Sequence, residues 1–286
     1  MKPSGHDRLP LAKADSVAKS LWESDAGAWD RYWVPIFALF ATQLALVCSP
    51  SPGDVILDVG TGSGLAVREI CERTPSVGLV VGIDFSERMI RLARRRTASK
   101  GLRNVKFLKM AAERLRFPEG FFDAVVSNCG IEVVGFPQFV KEVLRVLRPG
   151  GVFAFDDWNL IDVKPHRIFG EILERHRTTA PSLQLARERA AKDDLDAKVQ
   201  LQIVLEAGFK TASLVKRRHR VRLNSIEDFL RLRLCRSTIR REMSEMTTSN
   251  RRVFLRDLRS ALKQFVHDDA FIFNWPVFYI RANKPR

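Results

Sequence analysis

The chain has 286 residues, 45% of them hydrophobic and 28% charged, and 48 Lys and Arg against 33 Asp and Glu give a formal charge of +15. This composition is too apolar for a disordered chain and long enough to bury a core without disulfides. The excess of cations favours anionic partners but does not dictate a fold. Four cysteines, Cys48, Cys71, Cys129 and Cys235, form no C-x-x-C pair. That argues against a zinc ribbon or redox dithiol and fits free thiols in a reducing cytoplasm. No metal site is expected.

Residues 1–15 are polar and lack the apolar core of a secretory signal. The apolar run 36–48 falls short of the ~20 residues that span a bilayer and reads as a buried helix. A soluble, cytoplasmic protein is expected, with peripheral contact to an anionic membrane left open. From residue 54 to 157 short apolar runs alternate with helical patterns. Strands are predicted at 55–59, 79–83, 105–108, 124–127 and 152–155. A helix is predicted over 65–73. Ser86 is placed to cap the next helix, and Pro137 suits the first turn of a further one. Pro149-Gly150-Gly151 is expected to stop that helix. Such alternation implies a parallel sheet covered on both faces, with ligands at the carboxyl ends of its strands.

The rest is less regular. Helices are expected at 163–177, 183–192 and 197–207, and strand over 209–223. Ser225 is placed to cap an Arg-rich helical region reaching about 266. Residues 271–282 read as a strand pair or one long bent strand, with Pro276 at an edge or bulge.

The sharpest local signal is Asp58-Val59-Gly60-Thr61-Gly62-Ser63-Gly64, between a strand and a helix. Alternate glycines allow a tight turn and close approach to a ligand. The spacing is not G-x-G-x-x-G, and no Gly-Lys-Ser/Thr follows, so the loop is not built for a phosphate. Asp84 ends the second strand. A carboxylate there accepts hydrogen bonds from a ribose diol, or else caps a helix.

DVGTGSG, VVGIDFSERMI, AAERLRF, FFDAVVSN and RVLRPGG, in this order, resemble the successive motifs of class I S-adenosylmethionine-dependent methyltransferases. Within that class the likeness is to the ubiquinone/menaquinone C-methylase-like branch of small-molecule enzymes. The resemblance covers residues 29–158 well and the remainder loosely. It implies an α/β, Rossmann-like fold with a mostly parallel seven-stranded sheet, the last strand antiparallel, and helices on both faces. It further implies an N-terminal helical lid over 1–50 and a methyltransferase domain over 51–286. Segments 158–200 and 225–268 would form a helical cap over the acceptor site.

The resemblance also implies S-adenosyl-L-methionine as cofactor. Gly60, Thr61, Gly62 and Gly64 would wrap its methionine part, and Asp58 would orient the loop and help receive the amino group. Asp84 would hold the ribose, Phe85 would pack on the adenine, and Ala112 and Glu113 would border the adenine edge. Asn128 would floor the site near the sulfonium. Trp29 and Trp33, with Tyr32, would act as a lid or simply pack in the core. One departure stands out: Ala111 occupies the position where the resembled pattern has Asp.

Methyl transfer from a sulfonium needs a base only where the acceptor must lose a proton. Candidates are Asp156, Asp157 and His166, with His176 and Glu132. The two Asp residues also suit caps, and both histidines sit in a charged stretch expected to be solvated. Trp158, Ile168, Phe169, Phe229 and Leu230 would roof a small, largely apolar acceptor. The alternative is an RNA (tRNA or rRNA) substrate held by basic runs such as Lys216–Arg220, Arg240-Arg241 and Arg251-Arg252. Residues 127–130, Ser-Asn-Cys-Gly, lack the Asn/Asp-Pro-Pro-aromatic motif of enzymes that methylate exocyclic base nitrogens. A cofactor-binding scaffold without turnover is a third class.

Overall fold

The computed structural model describes residues 30–130, 135–158, 162–177 and 197–286. Trp29, Glu132 and the helix expected over 183–192 lie outside them. The first described helix, α1 (Val34–Cys48), contains no charged residue and buries Ile36, Phe37, Phe40, Leu44 and Cys48 on its inner side. It is followed by β1 (Val55–Val59), α2 (Leu65–Arg73), β2 (Leu79–Asp84), α3 (Glu87–Ala98), β3 (Val105–Lys109), β4 (Phe122–Asn128), α4 (Phe136–Val146) and β5 (Leu147–Asp157). The expected cap is made: the Met89 amide donates to Ser86 Oγ at 3.2 Å.

The carboxyl-terminal part adds α5 (Lys164–His176), α6 (Ala197–Glu206), β6 (Thr211–Leu223), α7 (Ile226–Leu234), α8 (Ser237–Ser244) and α9 (Thr248–Leu262). A short 3-10 turn then leads to β7 (Val266–His267) and β8 (Ala270–Asn283). The Asp228 amide donates to Ser225 Oγ, so the second expected cap also forms.

The sheet runs in the order β3-β2-β1-β4-β5-β8-β6, with β7 paired to β8. β3 through β5 are parallel; β8 is antiparallel to β5, β6 and β7. The architecture is the expected one, but the sheet has eight strands rather than seven. The extra strand exists because Asp268 and Asp269 both adopt positive φ, which folds β7 back onto β8.

One further expectation is corrected. The helix over 136–146 ends before Pro149, and residues 148–151 bulge out of β5, where the register jumps from Phe122↔Leu147 to Ala124↔Val152. Pro149 lacks an amide to donate and Gly150 takes φ +77, so the strand absorbs both without a ladder partner. Residues 271–282 belong to one strand, whose Pro276 lies beyond the last partner on β5, Asp157↔Phe278. The proline ring therefore interrupts no ladder on that side.

Alternation along each strand sends its side chains to opposite cores. One core joins α1, α2, α3 and the cap helices, with Phe40, Ile56, Val126 and Trp275 among its members. The other joins α4 and α6 over Leu57, Val125, Phe153 and Phe155. His166, expected in solvent, is only 3% exposed and packs 4.8 Å from Trp275 and 5.1 Å from Phe229, centroid to centroid. His176 meets Asp257 Oδ2 at 3.0 Å through Nε2. Helical periodicity turns both rings inward, which local charge does not reveal.

Candidate active site

The strand order reverses at β1, which pairs with both β2 and β4. At such a switch point the loops diverge above and below the sheet and leave a crevice. Here the crevice is a cleft of about 860 Å³, counted to its open mouth. Gly60, Thr61, Gly62 and Ser63 line it from the β1 loop, and Asp84, Phe85 and Ser86 from the β2 loop. Met110 and Ala112 follow β3, and Asn128, Cys129 and Gly130 follow β4. Val34 and Phe37 of α1 close one side.

Asp84 pins the cradle. Its Oδ2 accepts from the Gly62 amide and its Oδ1 from the Ser86 amide, both at 2.9 Å. A carboxylate has about four lone-pair sites, so capacity remains for ligand hydroxyls. The glycines are needed for different reasons. A Cβ on Gly60 would stand 2.6 Å from the Gly130 carbonyl oxygen, because the β1 and β4 loops touch there. Gly64 does not line the cleft; it has φ +81 ahead of α2, and a Cβ on it would press Ala93 Cβ at 3.3 Å.

Beneath the cradle lie two fully buried carboxyls. Burial pushes Asp58 up to about 7; Asp84 adds to this, while Thr61 and the Val67 amide oppose it. Thr61 and Val67 lie near enough to favour the charged form, yet neither Asp58 oxygen makes a well-formed hydrogen bond. Burial also raises Asp156 well above the ordinary carboxylate range, against the bonds from Cys129 and reinforced by Asp157 and Asp58. The Cys129 amide donates to Asp156 Oδ1 at 2.7 Å, and its thiol points at the same oxygen at 3.4 Å. Asp156 Oδ2 and Asn128 Oδ1 are buried without a hydrogen-bond partner among the described residues.

Of the site residues named from sequence, Gly60, Thr61, Gly62, Asp84, Phe85, Ala112 and Asn128 line the cleft. Asp58 lies under the loop, and Glu113 is exposed. Trp33 is fully buried: its indole N–H donates to Cys235 Sγ at 3.2 Å, and the ring stacks on Trp158 at 6.0 Å. It faces the aromatic core, and its neighbours Val34 and Phe37 take the cleft wall instead. Asp157 acts as a local cap, accepting from the Trp158 amide at 2.7 Å and from Gln200 Nε2 at 3.0 Å. Among the candidate bases in the described residues, Asp156 is the one that touches a cleft residue, Cys129. Trp158, Phe169, Phe229 and Leu230, expected to roof an acceptor, are packed in one core and are at most 6% exposed.

Cys129, Gly130, Phe37 and Met110 were not singled out from sequence. Gly130 carried a faint signal, a glycine two residues past a strand. Its partner Gly60 lies 70 residues away and is found only by folding.

The charge of the cleft decides what it fits. Its lining holds one acid, Asp84, and no Lys or Arg, despite the chain's +15. At its floor, Asn128 Oδ1 and Asp156 Oδ2 are buried acceptors with no hydrogen-bond partner among the described residues. Such a set suits a ligand with ammonium and sulfonium charges and a ribose, and it suits a diphosphate poorly. The residues fit S-adenosylmethionine.

The family model described as "Methyltransferase domain" matches residues 56–151. These residues are thus similar to a methyltransferase domain. The chain is similar to aklanonic acid methyltransferase DauC of Streptomyces sp. (strain C5), 32% identical over 137 residues, 47% of this chain and 61% of that protein. It is also similar to the ubiquinone/menaquinone biosynthesis C-methyltransferase UbiE of Hydrogenovibrio crunogenus, 30% identical over 153 residues, 51% of this chain and 60% of that one. The chain thus spans about 60% of the length of these relatives. A putative methyltransferase of Bacillus halodurans C-125 has the same fold, with a TM-score of 0.57 at 20% identity, covering 86% of this chain and 99% of the other.

Proposed function

We propose that this chain transfers the methyl group of S-adenosylmethionine to a small organic acceptor, largely apolar. The observation that carries the reading is the cation-free cradle at the switch point, with Asp84 shared between two loops and Asp58 buried beneath. Asp84 would accept from the ribose hydroxyls. Gly60 and Gly62 would let the backbone close on the methionine part, and Asp58 would offset the ammonium charge through the loop. Phe85, Met89, Met110 and Ala112 supply apolar walls for the adenine. Asn128 Oδ1 is an acceptor at the floor, where positive charge is stabilised.

The bound cofactor supplies a methyl group already activated on sulfur, so the protein's main task is alignment for in-line displacement. Val34 and Phe37 of α1 exclude water from one side, in keeping with a lid formed by the N-terminal segment and a cap formed by the later helices. Where the acceptor must lose a proton, Asp156 would receive it by way of Cys129, whose thiol points at its Oδ1. Similarity to enzymes named for aklanonic acid and for ubiquinone and menaquinone biosynthesis supports an organic small-molecule acceptor.

The test is methyl transfer from labelled cofactor into an organic extract and, in parallel, into total RNA. Label in the extract, dependent on Asp84, supports the proposal. Label confined to RNA assigns the basic carboxyl-terminal region to substrate binding instead. Cofactor binding without label in either fraction marks a scaffold.

A further inference from the structure

β6 is the outermost strand of the sheet, and it is basic along most of its second half. Its alternation divides the run Lys216–Arg220 between two faces. Arg217, His219 and Val221 stand in register with Val277, Trp275 and Phe273, on the side of α1 and the cap, where Val221 is buried and His219 half-buried while Arg217, nearest the sheet, stays exposed. Lys216, Arg218, Arg220 and Arg222 stand on the other side, opposite Phe278, Pro276, Asn274 and Ile272 of β8. All four cations are exposed, and none of the opposing residues is acidic. Among the described residues none of the four is in an ion pair.

The position of this ladder matters. β5 pairs with β8 only up to Asp157↔Phe278, so residues 217–223 and 271–277 continue as a two-stranded ribbon past the carboxyl end of the parallel sheet. That is the end at which the cleft opens. Phe278 and Leu214, at the near end of the same face, are packed under α6, and α6 itself leaves Val199 42% exposed. One or two charges suffice to keep an edge strand from pairing with another chain; four on one face go beyond that need.

The size of the array selects the partner. Alternate residues on a strand are about 6.8 Å apart, so the four cations extend over roughly 20 Å. A small anion would meet one or two of them. The partner is an extended array of negative charge. Among the described residues the face carries no exposed aromatic ring on which bases would stack, as single-stranded nucleic acid requires. A row of cations flanked by Pro276 and Ile272 matches the headgroup plane of an anionic bilayer.

We infer that Lys216, Arg218, Arg220 and Arg222 form a docking face for an anionic phospholipid surface, which brings the mouth of the cleft beside the membrane. This goes beyond the methyl-transfer reading and is read without turnover, so either one can fail alone. The experiment is flotation of the full chain with phosphatidylglycerol-containing and with pure phosphatidylcholine vesicles at ~0.15 M salt. Two charge-matched variants accompany it. One is R218Q/R220Q/R222Q; the other is R91Q/R95Q/K106Q, exposed cations near the opposite edge of the sheet. Each cation near an anionic surface contributes about fivefold in binding. The first variant should therefore lose roughly a hundredfold in affinity for the anionic vesicles while the second binds like the parent. Cofactor affinity, unchanged in both, shows that they fold. Equal losses in the two variants would reduce the effect to net charge and overturn the assignment. So would absence of vesicle binding by the parent. Tight RNA binding that only the first variant loses, with vesicles unbound, would make the partner a nucleic acid.

Discussion

The carboxylate of Asp84 holds the Gly62 amide at 2.9 Å, joining the loop after β1 to the loop after β2. Its other oxygen holds Ser86, at the cap of α3. One side chain therefore shapes the cradle and presents acceptors to whatever enters it.

Asp84→Ala should weaken S-adenosylmethionine binding by about 1–3 kcal/mol, a ten- to hundredfold loss. Two backbone amides and the ligand's hydroxyls would lose an acceptor together. Asp84→Asn, which keeps one oxygen, should lose less. Titration calorimetry checks both, and an unchanged affinity in Asp84→Ala would remove the residue from the site.

The glycine loop predicts an ordering of stabilities. Gly60→Ala meets the Gly130 backbone at 2.6 Å and must also hold φ +68, whereas Gly62→Ala has φ +52 and nothing nearer than 4.0 Å. The second should cost about 1 kcal/mol, from backbone strain alone. The first should cost clearly more, about 3 kcal/mol, because two loops must separate. Denaturant melts of the two variants decide it; equal costs would mean that the loops move apart freely.

Asp58 sets a pH dependence. Unfolded, it ionises near 3.8; folded, near 7. Between those values the folded state holds the extra proton, so stability from this group is present at low pH and is lost as pH rises through about 7. Asp58→Asn should therefore be more stable than the parent at pH 8, by up to about 4 kcal/mol, and about equal to it at pH 4. The same ionisation favours a cationic ligand, so cofactor affinity in the parent should rise toward pH 8 and flatten in the variant. Melting curves across this range, with and without cofactor, measure both. A parent that gains on the variant as pH rises would refute the buried, neutral carboxyl.

Asp156→Asn retains an oxygen for the Cys129 amide and tests the proposed role of this carboxyl as proton acceptor where the substrate must lose a proton. Methyl transfer should slow by about 10²- to 10⁴-fold with cofactor affinity within a few-fold of the parent. A parallel loss of affinity would make Asp156 a structural support of the β4 loop.

Ala111 is half-buried and adjoins Ala112, which lines the cleft. Ala111→Asp should add an acceptor at the adenine edge and tighten cofactor binding by about 0.5–1.5 kcal/mol. Weaker binding would show that apolar packing governs that corner.

Strand–helix alternation, the glycine loop and Asp84 were legible because each depends on residues close in sequence. Apolar runs alternate with a period the backbone imposes, and Ser86 and Ser225 cap the residues that follow them. Strand count, cap and charge were decided elsewhere. An eighth strand arises from two positive-φ residues, Asp268 and Asp269. Trp33 and His166 turn into an aromatic core shared with Trp158 and Trp275, contacts that no local sequence pattern announces. The basic run 216–220 reads as one cluster in the sequence, and only pairing with β8 divides it between a covered face and an open one. Periodicity and capping act over a few residues, so the sequence by itself determines them. Which face is buried, which carboxyl loses its water and which glycine meets another backbone depend on contacts between residues 27 to 202 positions apart. Only the packed tertiary structure supplies the low dielectric and the steric limits that settle them.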